Sequence, residues 1–269
     1  MLTETAFAKI NLALHLRKRR DDGYHELETV FAFVDAGDRL TAEPAEHDAM
    51  TIAGEFSALL TDPADNIVIK ALSLLPRAQP WHVRLEKNLP VAAGLGGGSA
   101  DAGALFRLAE RVGALPVDWL ARAVSLGADV PACVRSVTMA GFGTGTELAA
   151  IENDLSGTPI LLLNPRIPLA TGPVFKGWQG DDQGALPAGS ARDAALYGRN
   201  DLEDSAVTLV PEIRDVIECI RISGAFVARM SGSGATCFGL YKDAAAMVAA
   251  QADIARKRPG WWQLAGRLR

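Results

Sequence analysis

Between residues 6 and 16 apolar and polar positions alternate, so that Ile10, Leu12, Leu14 and Leu16 fall on one face and Lys9, Asn11 and His15 on the other, the period of a β-strand. A basic, turn-forming stretch over 17–23 leads to a second run rich in Val, Phe and Leu over 28–42, and the two runs predict an antiparallel pair. Apolar residues at 67, 71, 74 and 75 recur at helical spacing, predicting a helix over 65–75 that Pro76 stops, after which 81–86 alternates as a strand. Residues 99–112 place Ala102, Leu105, Phe106 and Ala109 on one helical face, with Ser99 as N-cap candidate and Gly113 just beyond the end. A third helix is predicted over 117–125 behind Pro116, then a turn over 127–131 and a strand over 133–142, beyond which Gly141, Gly143 and Gly145 break the regularity.

Past Ile151 the alternation starts afresh. It predicts a strand over 159–163, a Gly-, Asp- and Ala-rich loop over 177–191, a helix after Pro211, strands over 225–230 and 236–241, and a helix from Asp243. Two domains, 1–152 and 153–269, are expected, with the crossing near 150–158. The stretches 42–62 and 177–191 carry no recognisable signature, and no internal repeat is present.

Composition narrows the function classes. With 269 residues, 49% of them hydrophobic and 22% charged, the chain has ordinary globular content. Its 27 basic against 32 acidic residues, net −5, lack the cationic surplus of a nucleic-acid binder. Three widely spaced cysteines fit neither a disulfide framework nor a zinc-ligand pair, which suggests a reducing, cytoplasmic setting. Glu4 and Lys9 interrupt the N-terminus where a secretion signal would be apolar, and no apolar run is long enough for a membrane anchor.

The chemistry concentrates in Pro90, Val91, Ala92, Ala93, Gly94, Leu95, Gly96, Gly97, Gly98, Ser99 and Ala100. Glycines let backbone N–H groups approach an anion closely, and the loop feeds a helix N-terminus whose free N–H groups and dipole favour negative charge, so polyphosphate is the natural guest. A Walker A loop would end in Gly-Lys-Ser/Thr, and the dinucleotide fingerprint would carry a third glycine where Ser99 stands. Ser99 has two possible tasks: its hydroxyl can cap the helix, or it can ligate a Mg²⁺ ion that bridges the phosphates. Lys9 by itself is compatible with a solvated strand lysine, Asp129 with a turn or cap residue, and Tyr24 and His25 with a hairpin tip. The basic run Arg17 to Arg20 is read as a solvated hairpin end rather than an anion-steering patch.

The order of Lys9-Ile10-Asn11, the Gly-rich loop and Met230-Ser-Gly-Ser-Gly-Ala-Thr236 resembles the GHMP kinase superfamily over the whole chain. Ala8 to Leu12, Asp22-Gly-Tyr-His25, Asp65-Asn66 and Leu126-Gly-Ala-Asp-Val-Pro131 are similar to its branch in non-mevalonate isoprenoid biosynthesis, which phosphorylates a tertiary hydroxyl of a small diphosphocytidyl substrate. The resemblance implies an α+β fold of two domains, an N-terminal half like ribosomal protein S5 domain 2 and a ferredoxin-like C-terminal half, with substrates in a cleft between them. It implies ATP as co-substrate with Mg²⁺, Asp129 as catalytic base, Lys9 as its partner, and Asn66 and Lys87 near the adenine. Asn11, Tyr24 and His25 would line the substrate site, with Thr171 and Phe175 in the segment that supplies a second aromatic against the cytosine. The 230–236 run fits a tight Gly turn beside the phosphates or a structural hairpin. Alternatives from the residues are a sister kinase of the homoserine or mevalonate type, or a non-catalytic nucleotide-binding module, which would need no base at Asp129.

Overall fold

The computed structural model describes residues 1–269 apart from 61 and 63–65. Two compact units emerge, each assembled from several stretches of chain: residues 1–9, 36–91 and 96–136 form unit 1, and residues 10–35, 92–95 and 137–269 form unit 2. This division differs from the single crossing expected near 150–158. Strands β1 (Leu2–Arg19) and β2 (His25–Pro44) are longer than the alternation suggested, and each supplies residues to both units.

In unit 1 the C-terminal part of β2 pairs antiparallel with β4 (Trp81–Glu86), Arg39 opposite Glu86 and Pro44 opposite Trp81. An edge strand in the stretch without signature, β3 (Ala49–Ala53), runs parallel to β4. Trp81, Val83 and Leu85 point inward, as their spacing predicts. Helix α1 (Ile67–Leu74) begins at Asn66, whose Oδ1 accepts from the Val68 N–H at 2.9 Å; Asp65, included in the expected helix, lies outside the described residues. Helix α2 (Gly97–Arg111) buries Ala102, Leu105, Phe106 and Ala109, the expected face, and burying a side chain such as Leu105 or Phe106 contributes roughly 1.5–3 kcal/mol. Helices α3 (Trp119–Leu126) and α4 (Val130–Arg135) follow. A Cβ on Gly103 would stand 2.5 Å from the Cys133 carbonyl carbon, so α2 and α4 approach at a distance only glycine allows. Arg107 of α2 donates from Nη1 to the Cys133 carbonyl at 2.6 Å and to Ser136 Oγ at 2.8 Å, satisfying the C-terminal end of α4. The segment that begins at Asp129 is thereby fixed at its far end.

In unit 2 the earlier part of β2 pairs with β5 (Met139–Phe142), which forms a hairpin with β6 (Glu147–Ala150). A separate antiparallel sheet has the order β10 (Trp262–Arg267), β7 (Pro159–Asn164), β9 (Cys237–Leu240), β8 (Val227–Met230). Every residue of β7 is buried, which accounts for its unbroken apolar run. Helices α5 (Thr171–Lys176), α6 (Ala191–Tyr197), α7 (Glu203–Leu209), α8 (Glu212–Ile222) and α9 (Ala244–Lys257) complete the unit. Ile213, Val216, Ile217 and Ile220 form the inward stripe of α8, and Asp243 caps α9 through the Ala246 N–H.

Three expectations are corrected. The polar face of β1 is buried along with the apolar one, Lys9, Asn11 and His15 included, so alternation separated two faces without marking either as solvated. Helix α2 starts two residues early: its N-cap is Gly96 in the left-handed region, φ 59°, and Ser99 stands inside the first turn rather than at the cap. The expected turn at 127–131 is present over 128–129, but α4 starts at Val130 and replaces the strand expected from 133, with Pro131 in its first turn, where proline's missing N–H costs nothing; β5 begins only at Met139.

Candidate active site

Helix α2 follows directly from the Gly-rich loop. Ala92, Gly94 and Gly96 all have positive φ, 51°, 76° and 59°, so the chain coils tightly before entering the helix. The first N–H groups of a helix have no acceptor within it, and Gly96 has no side chain with which to cap them. Those N–H groups and the positive end of the α2 dipole suit an anion. Ala93 and Leu95 are buried and anchor the loop, while Gly98 is exposed.

Against this cap lies an ion pair. Lys9 Nζ stands 2.8 Å from Asp129 Oδ2, with the lysine side chain 5% and the aspartate 33% exposed. A Cβ on Gly96 would be 2.8 Å from Lys9 Cε and 3.6 Å from Asp129 Oδ2, so the glycine makes room for the pair. Three positions far apart in sequence, Lys9, the Gly96 end of the Gly-rich loop and Asp129, are thus brought together within unit 1. The Ser99 hydroxyl lies on the side of Gly127, 4.0 Å from the position of a Cβ there. Ile67, next to the α1 cap Asn66, lies 3.5 Å from a Cβ position on Gly98, which places Asn66 close to the loop.

Lys87, expected near the adenine, has a buried side chain beside the loop, its Nζ 3.0 Å from the position of a Cβ on Gly97. Its ammonium is enclosed by two buried carboxylates, Asp38, which makes a short contact, and Asp101 at 2.8 Å. Burial pushes the Asp101 carboxyl upward despite the neighbouring ammonium, and the two carboxylates hold the Lys87 ammonium above its usual range against the opposing effect of burial.

Unit 2 gathers the other expected residues. The Asn11 N–H donates to Ser231 Oγ at 3.2 Å and its Nδ2 to Thr29 Oγ1 at 2.7 Å, while Ser231 Oγ donates to the Gly94 carbonyl at 2.8 Å. The Gly turn after β8 therefore holds the early part of the phosphate loop, and the Thr236 N–H, donating to the Ala93 carbonyl at 3.1 Å, adds a second tie. Thr171 and Ser233 hydroxyls meet at 3.0 Å. His25 packs against Phe175, ring centroids 5.2 Å apart, and edge-on against Trp178 at 5.6 Å. Burial first and the Arg19 charge second hold the His25 imidazole below its usual range. Tyr24 beside it remains 64% exposed.

Sequence reasoning missed Trp178, Asp38 and Asp101. Trp178 had a faint signal, three residues beyond Phe175; the two aspartates had none, since neither belongs to a recognisable motif. The basic run is not simply solvated: Arg17 pairs with Glu28 at 2.7 Å and Asp182 at 3.0 Å, and Arg19 donates to the Trp178 carbonyl at 2.9 Å.

Comparison with known proteins gives the family. A model for the GHMP kinases N terminal domain matches residues 66–136, and one for the GHMP kinases C terminal region matches 185–259. A Novosphingobium aromaticivorans protein named 4-diphosphocytidyl-2-C-methyl-D-erythritol kinase is 63% identical over 268 residues, spanning 100% of this chain and 93% of that protein. An Erythrobacter litoralis protein of the same name is 56% identical over 272 residues, with 100% of both covered. A crystal structure of 4-(cytidine 5'-diphospho)-2C-methyl-D-erythritol kinase superposes with a TM-score of 0.83 at 31% identity over 99% of each chain. A homoserine kinase from Cytophaga hutchinsonii shares the fold at a TM-score of 0.68 and 15% identity, over 97% of this chain and 95% of its own. The α+β class and its two GHMP portions therefore stand, and the chain belongs to the 4-diphosphocytidyl-2-C-methyl-D-erythritol kinase family of the GHMP kinases.

Proposed function

We propose that the protein transfers the γ-phosphoryl group of ATP to the 2-hydroxyl of 4-diphosphocytidyl-2-C-methyl-D-erythritol, with Asp129 as the base. The observation that carries this reading is the ion pair at 2.8 Å between Lys9 and Asp129 beside the glycine cap of α2. Phosphoryl transfer asks a protein mainly to align the acceptor oxygen with the phosphorus and to neutralise spreading charge. Asp129 takes the proton of the acceptor hydroxyl; Lys9 orients that carboxylate and faces the transferring group with its ammonium. The loop from Pro90 to Ala100 holds the triphosphate through backbone N–H groups, and Asn66 stands at the nucleoside end.

His25, held neutral by burial, can hydrogen-bond the edge of a cytosine, and Phe175 and Tyr24 offer it ring faces, with Trp178 bracing the imidazole. Asn11 and Thr171 complete the substrate contacts. The donors at the loop suit Mg²⁺, which takes one or two protein oxygens and fills its remaining positions with phosphate and water. Ser99 would supply the protein oxygen, and the ion when bound would neutralise phosphate charge. Three free cysteines, two of them buried, accord with a cytoplasmic setting.

The test is a substrate ranking with purified protein. ATP consumption is expected with the cytidyl-capped methylerythritol and not with homoserine or mevalonate; turnover of either of the latter in preference to the former would reverse the assignment.

A further inference from the structure

Asp38, Lys87 and Asp101 are placed at the two ends of the phosphate loop. Asp38, in the middle of β2 and fully buried, accepts at Oδ1 from the Asn88 N–H at 2.6 Å and the Leu89 N–H at 2.8 Å, the two residues before Pro90. Its Oδ2 meets the Lys87 ammonium, which turns back from the end of β4. The same ammonium reaches Asp101 Oδ2 at 2.8 Å, on the second turn of α2, where the chain leaves the loop. A Cβ on Gly97, the first residue of α2, would stand 3.0 Å from Lys87 Nζ and 3.8 Å from Asp38 Oδ2. One buried cation therefore lies directly behind the N–H groups of the cradle, tied to the loop's entrance through one carboxylate and to its exit through the other.

We infer that Asp38, Lys87 and Asp101 are positioning residues that hold the two ends of the phosphate loop in register and so set affinity for the triphosphate, an inference that rests on the reading of this loop as the ATP site. A cluster serving only the core would have little need of charge, because burying three ionisable groups is costly and apolar replacements of similar volume do as well. Charge is useful here because the held parts are backbone amides and a helix start, which apolar side chains cannot grip. Asp101 Oδ1 is buried with no hydrogen-bond partner among the described residues, and burial pushes this carboxyl up to about 8.

The experiment combines amide hydrogen exchange with titration of a nonhydrolysable ATP analogue in the presence of magnesium, on the natural protein, Asp101→Ala, Asp101→Asn and Asp38→Asn. In the natural protein the analogue slows exchange across 94–100. In Asp101→Ala, exchange at 88–89 and 96–100 is faster before any nucleotide is added, and the analogue Kd and the KM for ATP each rise roughly tenfold. The KM for the cytidyl substrate stays within about twofold, since its proposed contacts are untouched. Asp101→Asn keeps an oxygen toward Lys87 and restores the analogue Kd to within roughly threefold of the natural value. Where Asp101→Ala does not fold, Asp38→Asn, which turns an amide group against the ammonium, is expected to give the same rise and the same faster exchange. Natural Kd and natural loop exchange in whichever of these variants folds, even with a lowered Tm, overturn the positioning role. A natural protein whose loop exchange ignores the analogue instead overturns the ATP reading itself, so the two failures are told apart.

Discussion

Asp129 is one-third exposed while the ammonium it meets is enclosed, the asymmetry a base needs if it is to reach a substrate while its partner stays fixed. Asp129→Asn keeps the shape and removes the basic oxygen, so kcat is expected to fall by roughly 10²–10⁴-fold while the KM for ATP changes little. Steady-state kinetics decide it, and a variant within tenfold of the natural kcat would remove Asp129 from the mechanism. Asp101 offers a second prediction, read through stability. Its carboxyl is raised in the fold from 3.8 to about 8, first by burial, with the Lys87 charge opposing and the Asp38 charge assisting. A raised acid binds its proton more tightly when folded, so its contribution is full below 3.8 and is lost as pH rises through about 8. Denaturant titrations of the natural protein should show stability declining between those values, and Asp101→Asn should flatten the decline; parallel curves would reject it. The Gly-rich loop stood out in the sequence by its glycines and Lys9 and Asp129 only through the resemblance, and the structure brings the latter two within 2.8 Å of each other. Asp38 and Asp101 did not stand out, because their role arises from three segments meeting at one buried point, which no local pattern encodes.

Among the elements, the sequence was read best where one face is apolar and the other polar. Strand β4 and helix α8 came through on that signal. It failed where both faces are buried, as in β1, and where a short apolar segment carried no period, as in α4, whose Val130-Pro-Ala-Cys-Val134 has strand-like composition. Strands β3, β6 and β10 are short or edge pieces that pairing partners define more than their own residues do. The loop from 177 to 190, silent in the sequence, is tied down by β1 and β2: Glu28 accepts from the Leu186 N–H at 2.8 Å, Arg17 meets Asp182, and His15 contacts the Gly184 carbonyl at 3.1 Å. The Arg199 N–H donates to His15 Nε2 at 3.1 Å, so the ring proton belongs on Nδ1 and the imidazole is neutral. Burial is the main cause holding His15 below 6.5, with the Arg199 charge acting in the same sense and the Gly184 carbonyl and Asp201 opposing. Its contribution is therefore present above 6.5 and is lost as pH falls through the depressed folded value, where a second ring proton would face the Arg199 N–H. Amide exchange at 182–186, corrected for intrinsic rates, is expected to accelerate on going from neutral pH into the acid range; unchanged protection would show that His15 does not anchor this loop.

For the whole molecule, length and composition allowed one large domain or two modest ones, and the motif order pointed to the superfamily. What they missed was the interleaving, because two long strands contribute to both units and no shift in composition marks the passage. A ligand that binds only the folded chain stabilises all of it, by about 2.7 kcal/mol at a hundred times its Kd. For a chain of this size that corresponds to a rise in Tm of roughly 5–10 °C, which thermal denaturation with a nonhydrolysable ATP analogue would register. An unshifted Tm under saturating analogue would contradict binding at the start of α2. Helix α2 is capped by Gly96, which has no side chain to satisfy its first N–H groups. A ligand that satisfies those groups would favour the closed chain over its opened forms, so limited proteolysis is expected to slow when the analogue is present.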